Sequence, residues 1–194
     1  MDDDSELYRK WYCSEYDDTG RLYGFVTSAD AVRLGIPEGE LPKLAARRKL
    51  VRAAQGVYRF PEFAVSPNDQ LMEAVLWTRD PLAVLSHETA LDAYQLSDVN
   101  PNVIHVTIPK RKNPIRRIDM PAEYVVHYQD LAPGQRGWWE EIPTVTPATA
   151  INQAMATTAR PDLIRQAIDQ AAARGLIDKA TATSQRKALK EAST

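Results

Sequence analysis

The sequence predicts an α+β protein in which a small N-terminal domain of short helices and a hairpin precedes a mixed α/β domain with a small sheet and C-terminal helices. Apolar residues recur at helical spacing in several segments, whereas residues 103–108 and 124–128 have the β-branched, alternating character of strands. Turns containing glycine and proline separate these segments. The 194 residues, 44% of them hydrophobic and 26% charged, are ordinary for a globular protein of one or two domains.

The first predicted elements are short. Residues 5–16 predict a helix, because Leu7 and Trp11 share one face at i, i+4 spacing. Residues 17–20 form a break, and residues 25–26 then form either a very short strand or the entry to the next helix.

The next helix has recognisable ends. Thr27 or Ser28 is suitable as its N-cap, and Asp30 favours the positive end of the helix dipole. Gly35 is well placed to end the helix, and Pro37 prevents its continuation.

The following helix is expected to be short because it contains Pro42. A helix that began near Pro37 would lose a backbone hydrogen bond at Pro42, whereas a helix that begins near Leu41 has Pro42 in its first turn. We therefore expect the later start, with Leu41 and Leu44 on one apolar face.

Two strand-like segments, 50–52 and 57–60, flank a turn at residues 55–56 and predict a hairpin. Helix, turn, helix and hairpin follow one another in the order that is typical of a winged helix-turn-helix. The sequence therefore predicts that the N-terminal domain binds DNA.

A proline-containing stretch marks the expected domain boundary. Pro61 and the pair at residues 66–67 suggest a break, so we expect a winged helix-turn-helix domain over 1–66 and a second domain over 67–194. In the second domain we expect helices over 68–78, 86–94 and 162–174, from 146 onward and over 178–192, and strands at 103–108 and 124–128, with an apolar run at 82–85.

Positive charge is concentrated in two segments, although the formal net charge is −2. The first segment, Lys43 to Arg59, has six basic residues and no acidic one. Such side chains neutralise DNA phosphates, and a recognition helix can direct arginine to guanine. A solvated helix face is the alternative, but the predicted turn and hairpin favour DNA binding. The candidate DNA-binding residues are Lys43, Arg47, Arg48, Lys49, Arg52 and Arg59.

The second segment follows a predicted strand and contains Pro114, so we expect a loop. It could extend the DNA contact, meet an acidic partner surface or only increase solubility. Its five basic residues are Lys110, Arg111, Lys112, Arg116 and Arg117.

No set of residues predicts catalysis. Ser86, His87 and Glu88 have the side chains of acid–base chemistry, but neighbouring residues on a helix point in different directions. We therefore expect Ser86 to cap a helix and His87 to be packed or on the surface. His105 and His127 lie in predicted strands and could pair across a sheet, yet the three histidines lack metal-ligand spacing. We expect no metal, no cofactor and no catalytic residue.

The adjacent pair Trp138 and Trp139 allows two interpretations. It could form an exposed partner-binding patch, because tryptophan is enriched at interfaces. Alternatively, one tryptophan is in the core and the other is partly exposed.

The single cysteine, Cys13, excludes an intrachain disulfide and favours a reducing compartment. No apolar run approaches the roughly 20 residues of a membrane helix, and the acidic start of the chain is unlike a secretory signal. We therefore expect a cytoplasmic protein with no membrane partner.

Six segments follow one another along the chain: TSADAVRLGIP, RRKLVR, QGVYRFP, LSHETALDAYQL, VIHVTIP and IPTVTPATAINQAM. No single segment is diagnostic, but their serial order over residues 20–175 resembles that of AbiEi-type antitoxins of type IV toxin–antitoxin systems. Pro42, Glu38 and Glu40 depart from the basic recognition helix of that family.

The resemblance implies a transcriptional repressor with a winged-helix domain that binds inverted repeats in double-stranded operator DNA and represses its own operon. It also implies a C-terminal domain that neutralises an AbiEii-type nucleotidyltransferase-like toxin, with a role in phage defence. We expect a monomer that can bind DNA cooperatively and is not an enzyme. Two alternatives stay open: an enzyme that inactivates the toxin covalently, for instance by phosphorylation, and a stand-alone winged-helix regulator with a ligand-sensing domain.

Overall fold

The computed structural model of this chain describes residues 23–37, 39–111, 120–157 and 160–192. The following predictions lie outside the described residues: the helix over 5–16, Cys13, Glu38, Lys112, Arg116 and Arg117. The chain divides into two compact units, Met1–Arg79 (unit 1) and Asp80–Thr194 (unit 2). Each unit combines helices with a β-sheet, so the α+β class is confirmed.

Unit 1 is built from three short strands and three short helices among its described residues. In chain order these are β1 (Phe25–Thr27), α1 (Ser28–Arg33), α2 (Glu40–Ala46), β2 (Val51–Ala54), β3 (Val57–Arg59) and α3 (Asp69–Trp77). The strands form an antiparallel sheet in the order β1–β3–β2.

Helix α1 begins and ends at the predicted residues. Thr27 is its N-cap, and its Oγ1 accepts a hydrogen bond from the Asp30 N–H at 3.2 Å. Asp30 Oδ2 in turn accepts one from the Thr27 N–H at 2.7 Å, which completes a capping box. The helix stops before Gly35, whose φ of 68° continues the chain in the left-handed region.

Helix α2 has the late start and short length that Pro42 predicts. Gly39 is its N-cap and Glu40 its first residue, so Pro42 lies in the first turn, where its missing N–H costs no helical hydrogen bond. Leu41 and Leu44 are both buried in the apolar core of the unit.

The predicted hairpin is formed by β2 and β3, which pair with Val51 opposite Arg59 and Arg52 opposite Tyr58. Gly56 in the turn between them has a φ of 76°, and its N-terminal neighbour Gln55 is exposed. The core beneath the sheet consists of Val26, Ala31, Leu41, Leu44, Leu50, Tyr58 and Phe60.

The division between the units falls later in the chain than the expected boundary between residues 66 and 67. Helix α3 lies between these two positions, and it contacts β2 and β3 of unit 1. An ion pair of 3.1 Å between Arg59 on β3 and Asp69 on α3 connects this helix to the sheet.

Unit 2 contains a mixed five-stranded sheet and four α-helices among its described residues. In chain order these are β4 (Val84–Leu85), α4 (His87–Ala93), β5 (Ile104–Ile108), β6 (Tyr124–Tyr128), β7 (Arg136–Trp139), β8 (Ile142–Val145), α5 (Pro147–Thr157), α6 (Pro161–Ala173) and α7 (Lys179–Ala192). All the predicted elements of this part of the chain are present, within a few residues of their expected ends.

The strand order of this sheet is β6–β5–β4–β8–β7. Strand β5 is antiparallel to β4 and parallel to β6. Apolar side chains of α4 to α7 pack together with Val84 and Val145 of the sheet, and Ile151, Ile164 and Ile168 are almost fully buried there. No helix among the described residues has both the length and the apolar character needed to cross a membrane.

The hairpin of β7 and β8 was not predicted from the sequence. Its turn residues, Glu140 and Glu141, have φ values of 47° and 59°, which glycine or asparagine normally adopts, so the usual turn signal is missing. Trp138 on β7 is 51% exposed, and Trp139 is partly buried. The tryptophans therefore differ in exposure, but neither is in the core.

Candidate nucleic-acid interface and histidine cluster

Five of the six candidate DNA-binding residues are exposed on consecutive elements of unit 1. Lys43 lies on α2, Arg52 lies on β2, and the other three lie in the turn between α2 and β2. We call these five the basic surface: Lys43, Arg47, Arg48, Lys49 and Arg52. The stretch from Leu41 to Tyr58 contains no acidic residue, so nothing within that stretch offsets their charge.

The turn after α2 holds its arginines in a defined backbone conformation. Arg47 is the C-cap, and its N–H donates to the Lys43 carbonyl at 3.0 Å. Arg48 follows with a φ of 61°, and the Lys49 N–H then donates to the Leu44 carbonyl at 2.9 Å. Glycine usually occupies the left-handed position after a helix, because a side chain there is strained. The turn therefore carries an arginine where glycine would be more stable.

The charge of Lys43 on α2 is partly compensated by a neighbouring carboxylate. Its Nζ lies 3.3 Å from Glu40 Oε2, one turn earlier on α2. The lysine side chain is exposed, which makes such a pair weak, so Glu40 reduces the positive potential near Lys43 without fixing the lysine in place.

Arg59, the sixth candidate, is used inside unit 1. Its guanidinium pairs with Asp69 and also donates to the carbonyl oxygens of Tyr23, Phe63 and Ala64 at 3.2, 3.1 and 2.7 Å. Its side chain is only 13% exposed. Because the guanidinium is already bound to these acceptors, Arg59 is not available for a DNA contact.

The second basic segment is described only at its start. Lys110 and Arg111 are exposed, and the Lys110 N–H donates to Asp130 Oδ1 at 3.1 Å. The expected DNA or partner contact of this segment therefore stays a prediction.

Unit 2 brings together the three histidines of the chain. His87 is the first residue of α4 and is separated from β4 by Ser86 alone, while His105 and His127 lie on the adjacent strands β5 and β6. The Ser86 N–H donates to the His105 carbonyl at 3.0 Å, which holds the start of α4 beside β5. One ring nitrogen from each histidine lies within 4.8 Å of those of the other two. We call these three residues the histidine cluster.

The rings of the histidine cluster lie nearly parallel. The ring centroids of His87 and His127 are 3.6 Å apart, with an interplanar angle of 19°. His105 Nδ1 and His127 Nε2 are 2.9 Å apart, so one of them donates a hydrogen bond to the other. The expected pairing of these two histidines across the sheet is confirmed.

Polar groups of neighbouring elements support the cluster. His87 Nδ1 hydrogen-bonds with Ser86 Oγ at 3.0 Å, so the hydroxyl contacts the imidazole and makes no side-chain cap. The His105 N–H donates to Thr89 Oγ1 at 2.9 Å, and the His87 N–H donates to Gln153 Oε1 at 3.4 Å. His87 is 5% exposed and has a φ of 53°, so this strained conformation is held from several sides.

Burial favours the neutral form of these imidazoles. Burial, together with the charges that His127 and His105 would carry, lowers the pKa of His87 to about 3. Burial and His105 lower the pKa of His127 to about 4. Burial also lowers the pKa of His105, although the carboxylate of Glu88 opposes this shift. All three histidines are therefore neutral near pH 7.

Spacing along the chain gives no sign of the histidine cluster. The three residues are separated by a helix, a strand and long connections, whereas metal-binding motifs usually combine ligands from short intervals. The useful signal was the placement of His105 and His127 on strands, but the position of His87 depends on the pairing of β4 with β5, which the sequence does not reveal.

Comparison with known proteins gives only a remote structural similarity. No family model matches the chain, and no curated protein matches it. Among solved structures, the RV2827C protein from Mycobacterium tuberculosis is similar at a TM-score of 0.49 and 15% identity. The similarity covers 97% of this chain and 77% of that one. A likeness at this level carries no argument about function.

Proposed function

We propose that unit 1 is a winged helix-turn-helix that binds double-stranded DNA through the basic surface. In this proposal α1 and α2 are the two helices of the motif, and the hairpin of β2 and β3 is the wing. The observation that carries the proposal is the exposure of five basic side chains on α2, the following turn and β2, in a stretch without acidic residues.

The arrangement suits a duplex because different parts of the basic surface would meet different parts of the DNA. In helix-turn-helix proteins the second helix enters the major groove and flanking segments contact the backbone. Lys43 and Arg47 at α2 would then lie near base edges, and Arg52 on the wing near phosphate. Backbone contacts position the protein, and base contacts provide sequence preference.

We further propose that the whole chain is an antitoxin of the AbiEi type, which represses its own operon and neutralises a nucleotidyltransferase-like toxin. The serial order of six sequence segments supports this assignment, and the separation of the chain into two units is compatible with two tasks. Unit 1 would bind the operator, and unit 2 would act on the toxin.

DNA binding is tested by titrating the full chain into fluorescently labelled duplex from the region upstream of its gene and into a shuffled duplex of equal length. We expect tighter binding to the upstream duplex. The double variant Arg47→Ala/Arg52→Ala should lose about 10- to 100-fold in affinity, since each contact contributes on the order of 1 kcal/mol or more.

The matched control removes two exposed basic residues of unit 2, as Arg165→Ala/Lys179→Ala, and so changes the net charge equally. We expect this variant to bind as the wild type does. Equal losses in both double variants would show that net charge, and not the basic surface, drives binding, and would contradict the proposal.

The antitoxin function is tested separately by co-expressing the chain with a neighbouring nucleotidyltransferase-like gene. We expect growth to be rescued by the wild type and also by Arg47→Ala/Arg52→Ala when both genes are under foreign promoters. No rescue by the wild type would contradict the antitoxin assignment while leaving DNA binding intact.

A further inference from the structure

We propose that the histidine cluster of unit 2 is a binding site for a divalent transition-metal ion, with Zn²⁺ as the best-fitting ion and His87, His105 and His127 as its ligands. This site is independent of the proposed DNA binding, because all its residues belong to unit 2.

The ligand type is the first argument. Imidazole nitrogen is a preferred ligand of zinc, copper and nickel, and three histidines with one open position form a known zinc arrangement. Among the described residues, this cluster is the group of histidine, cysteine, aspartate or glutamate side chains close enough to share one ion.

Distance is the second argument. Three nitrogens bound tetrahedrally at about 2.0–2.1 Å from zinc are about 3.3 Å from one another. The His105 and His127 nitrogens, now 2.9 Å apart, need to separate by only a few tenths of an ångström. All the separations in the cluster are within 4.8 Å, so we expect rotation of the rings to bring the three nitrogens to one ion.

The parallel rings define what binding must change. Stacked imidazoles do not direct their lone pairs at one point, so the ion would replace the His105–His127 hydrogen bond and turn the rings apart. His87 Nδ1 already contacts the Ser86 hydroxyl, which leaves Nε2 as its ligand atom. A second hydrogen bond of this kind is how proteins orient metal-bound histidines.

An unsatisfied hydroxyl beside the cluster is an independent observation. Thr107 lies on the same face of β5 as His105, and its register partner on β6 is His127. Its Oγ1 is buried and has no hydrogen-bond partner among the described residues. A buried polar atom without a partner often marks a missing water or ion, and water in the fourth zinc position would provide a partner.

The backbone at His87 is a further sign of a built site. A positive φ in a non-glycine residue is strained and often occurs at ligand sites. Here that conformation directs the first residue of α4 toward two strands, and it places His87 against His127 at 3.6 Å between ring centroids.

The test uses the full chain, free of any histidine tag and treated with a chelator that is then removed. Isothermal titration with Zn²⁺ should show one ion per chain with submicromolar affinity. His127→Gln and His105→Gln should each weaken binding by more than the roughly 10- to 100-fold that changes beyond the ligand shell produce. The control Glu141→Gln, at an exposed turn, should bind as the wild type does.

Histidine-selective ¹⁵N NMR provides a readout that unfolding cannot imitate. The chain has three histidines and all belong to the cluster, so every side-chain signal reports on the site. We expect the ¹⁵N resonances of all three imidazoles to shift on addition of one equivalent of Zn²⁺. The backbone amide spectrum should remain that of a folded protein.

Three results would overturn the proposal: no zinc binding at 100-fold excess, equal binding by the wild type and both histidine variants, or bound zinc with unshifted imidazole signals. In the last case the ion would be held by surface carboxylates. If a histidine variant is unfolded, the NMR shifts of the wild type decide alone.

Discussion

At Arg48 the backbone conformation favours glycine, whereas the proposed DNA contact needs a basic side chain. Its left-handed conformation favours glycine, yet an arginine is present in the exposed turn of the basic surface. A residue kept against local stability is expected where its side chain has a function, and here that function would be a DNA contact.

Replacing Arg48 separates stability from binding. We expect Arg48→Gly to raise the free energy of unfolding of unit 1 by about 0.5–1 kcal/mol, because glycine adopts a positive φ without strain. The same variant should lose about 5- to 10-fold in DNA affinity, since one charged contact is removed. Urea unfolding and fluorescence polarisation measure the two effects. A variant that is less stable, or that binds DNA as well as the wild type, would contradict this account.

Glu40 offers the opposite experiment, a gain of affinity. Glu40→Gln removes the carboxylate that compensates Lys43, so we expect DNA affinity to rise about two- to fivefold at low salt. High salt should abolish the difference, because screening weakens both interactions. Unchanged affinity at low salt would mean that Lys43 does not contact DNA.

Arg59 is expected to matter for folding and not for DNA. Arg59→Ala removes the ion pair with Asp69 and the three hydrogen bonds that Arg59 donates to backbone carbonyls, which should cost about 2–4 kcal/mol of stability in unit 1. Amide hydrogen exchange across β1 and β3 should become much faster. An unchanged rate of amide exchange together with a loss of DNA binding would show that Arg59 contacts DNA.

At the scale of elements, the sequence predicts helix ends and turns well where neighbouring residues determine them. The Thr27 cap, the stop at Gly35, the position of Pro42 in α2 and the turn at Gly56 all follow from rules that involve neighbouring residues. The hairpin of β7 and β8 was missed because its turn uses Glu140 and Glu141, and long-range pairing must hold them in their left-handed conformations.

The candidate sites also divide into features that local sequence predicts and features that depend on tertiary packing. Exposure of the basic surface follows from the amphipathic pattern of α2 and the predicted turn. The role of Arg59 was not predictable, because two of its partners, Tyr23 and Asp69, lie in other segments of the chain that only tertiary packing brings to the guanidinium. The histidine cluster likewise needs β4, β5 and β6 to be assembled before His87 meets the other two.

The histidine cluster, at the start of α4 and on strands β5 and β6, should make the stability of unit 2 sensitive to mild acid when no metal is bound. The histidines stay neutral in the folded protein, with the pKa of His87 lowered from 6.5 to about 3, but take up protons in the unfolded chain. The free energy of unfolding of unit 2 is therefore independent of these groups above about pH 6.5. It decreases as the pH falls from there toward 3.

The diagnostic window is pH 6.5 to 5, where ordinary carboxylates are still ionised. We expect the urea midpoint of chelator-treated protein to fall across this window, and the fall to be smaller in His127→Gln. A midpoint that is constant between pH 6.5 and 5 would show that the histidines titrate alike in both states.

At the scale of the whole molecule, the two units carry separate chemistry. Unit 1 has the basic surface, and unit 2 has the histidine cluster. Variants of one unit should therefore leave the signal of the other intact: Arg48→Gly should not affect zinc binding, and His127→Gln should not affect DNA affinity measured without metal.

We propose that the basic surface of unit 1 binds DNA phosphates and bases. The salt dependence of the affinity for upstream duplex tests it most directly, because each neutralised phosphate contributes about −0.9 to the slope of log affinity against log salt. We expect a clearly negative slope that is unchanged in Arg165→Ala. The slope should become about one unit shallower in each of four variants: Arg47→Ala, Arg48→Gly, Lys49→Ala and Arg52→Ala. A slope near zero, or equal slopes in all variants, would contradict it.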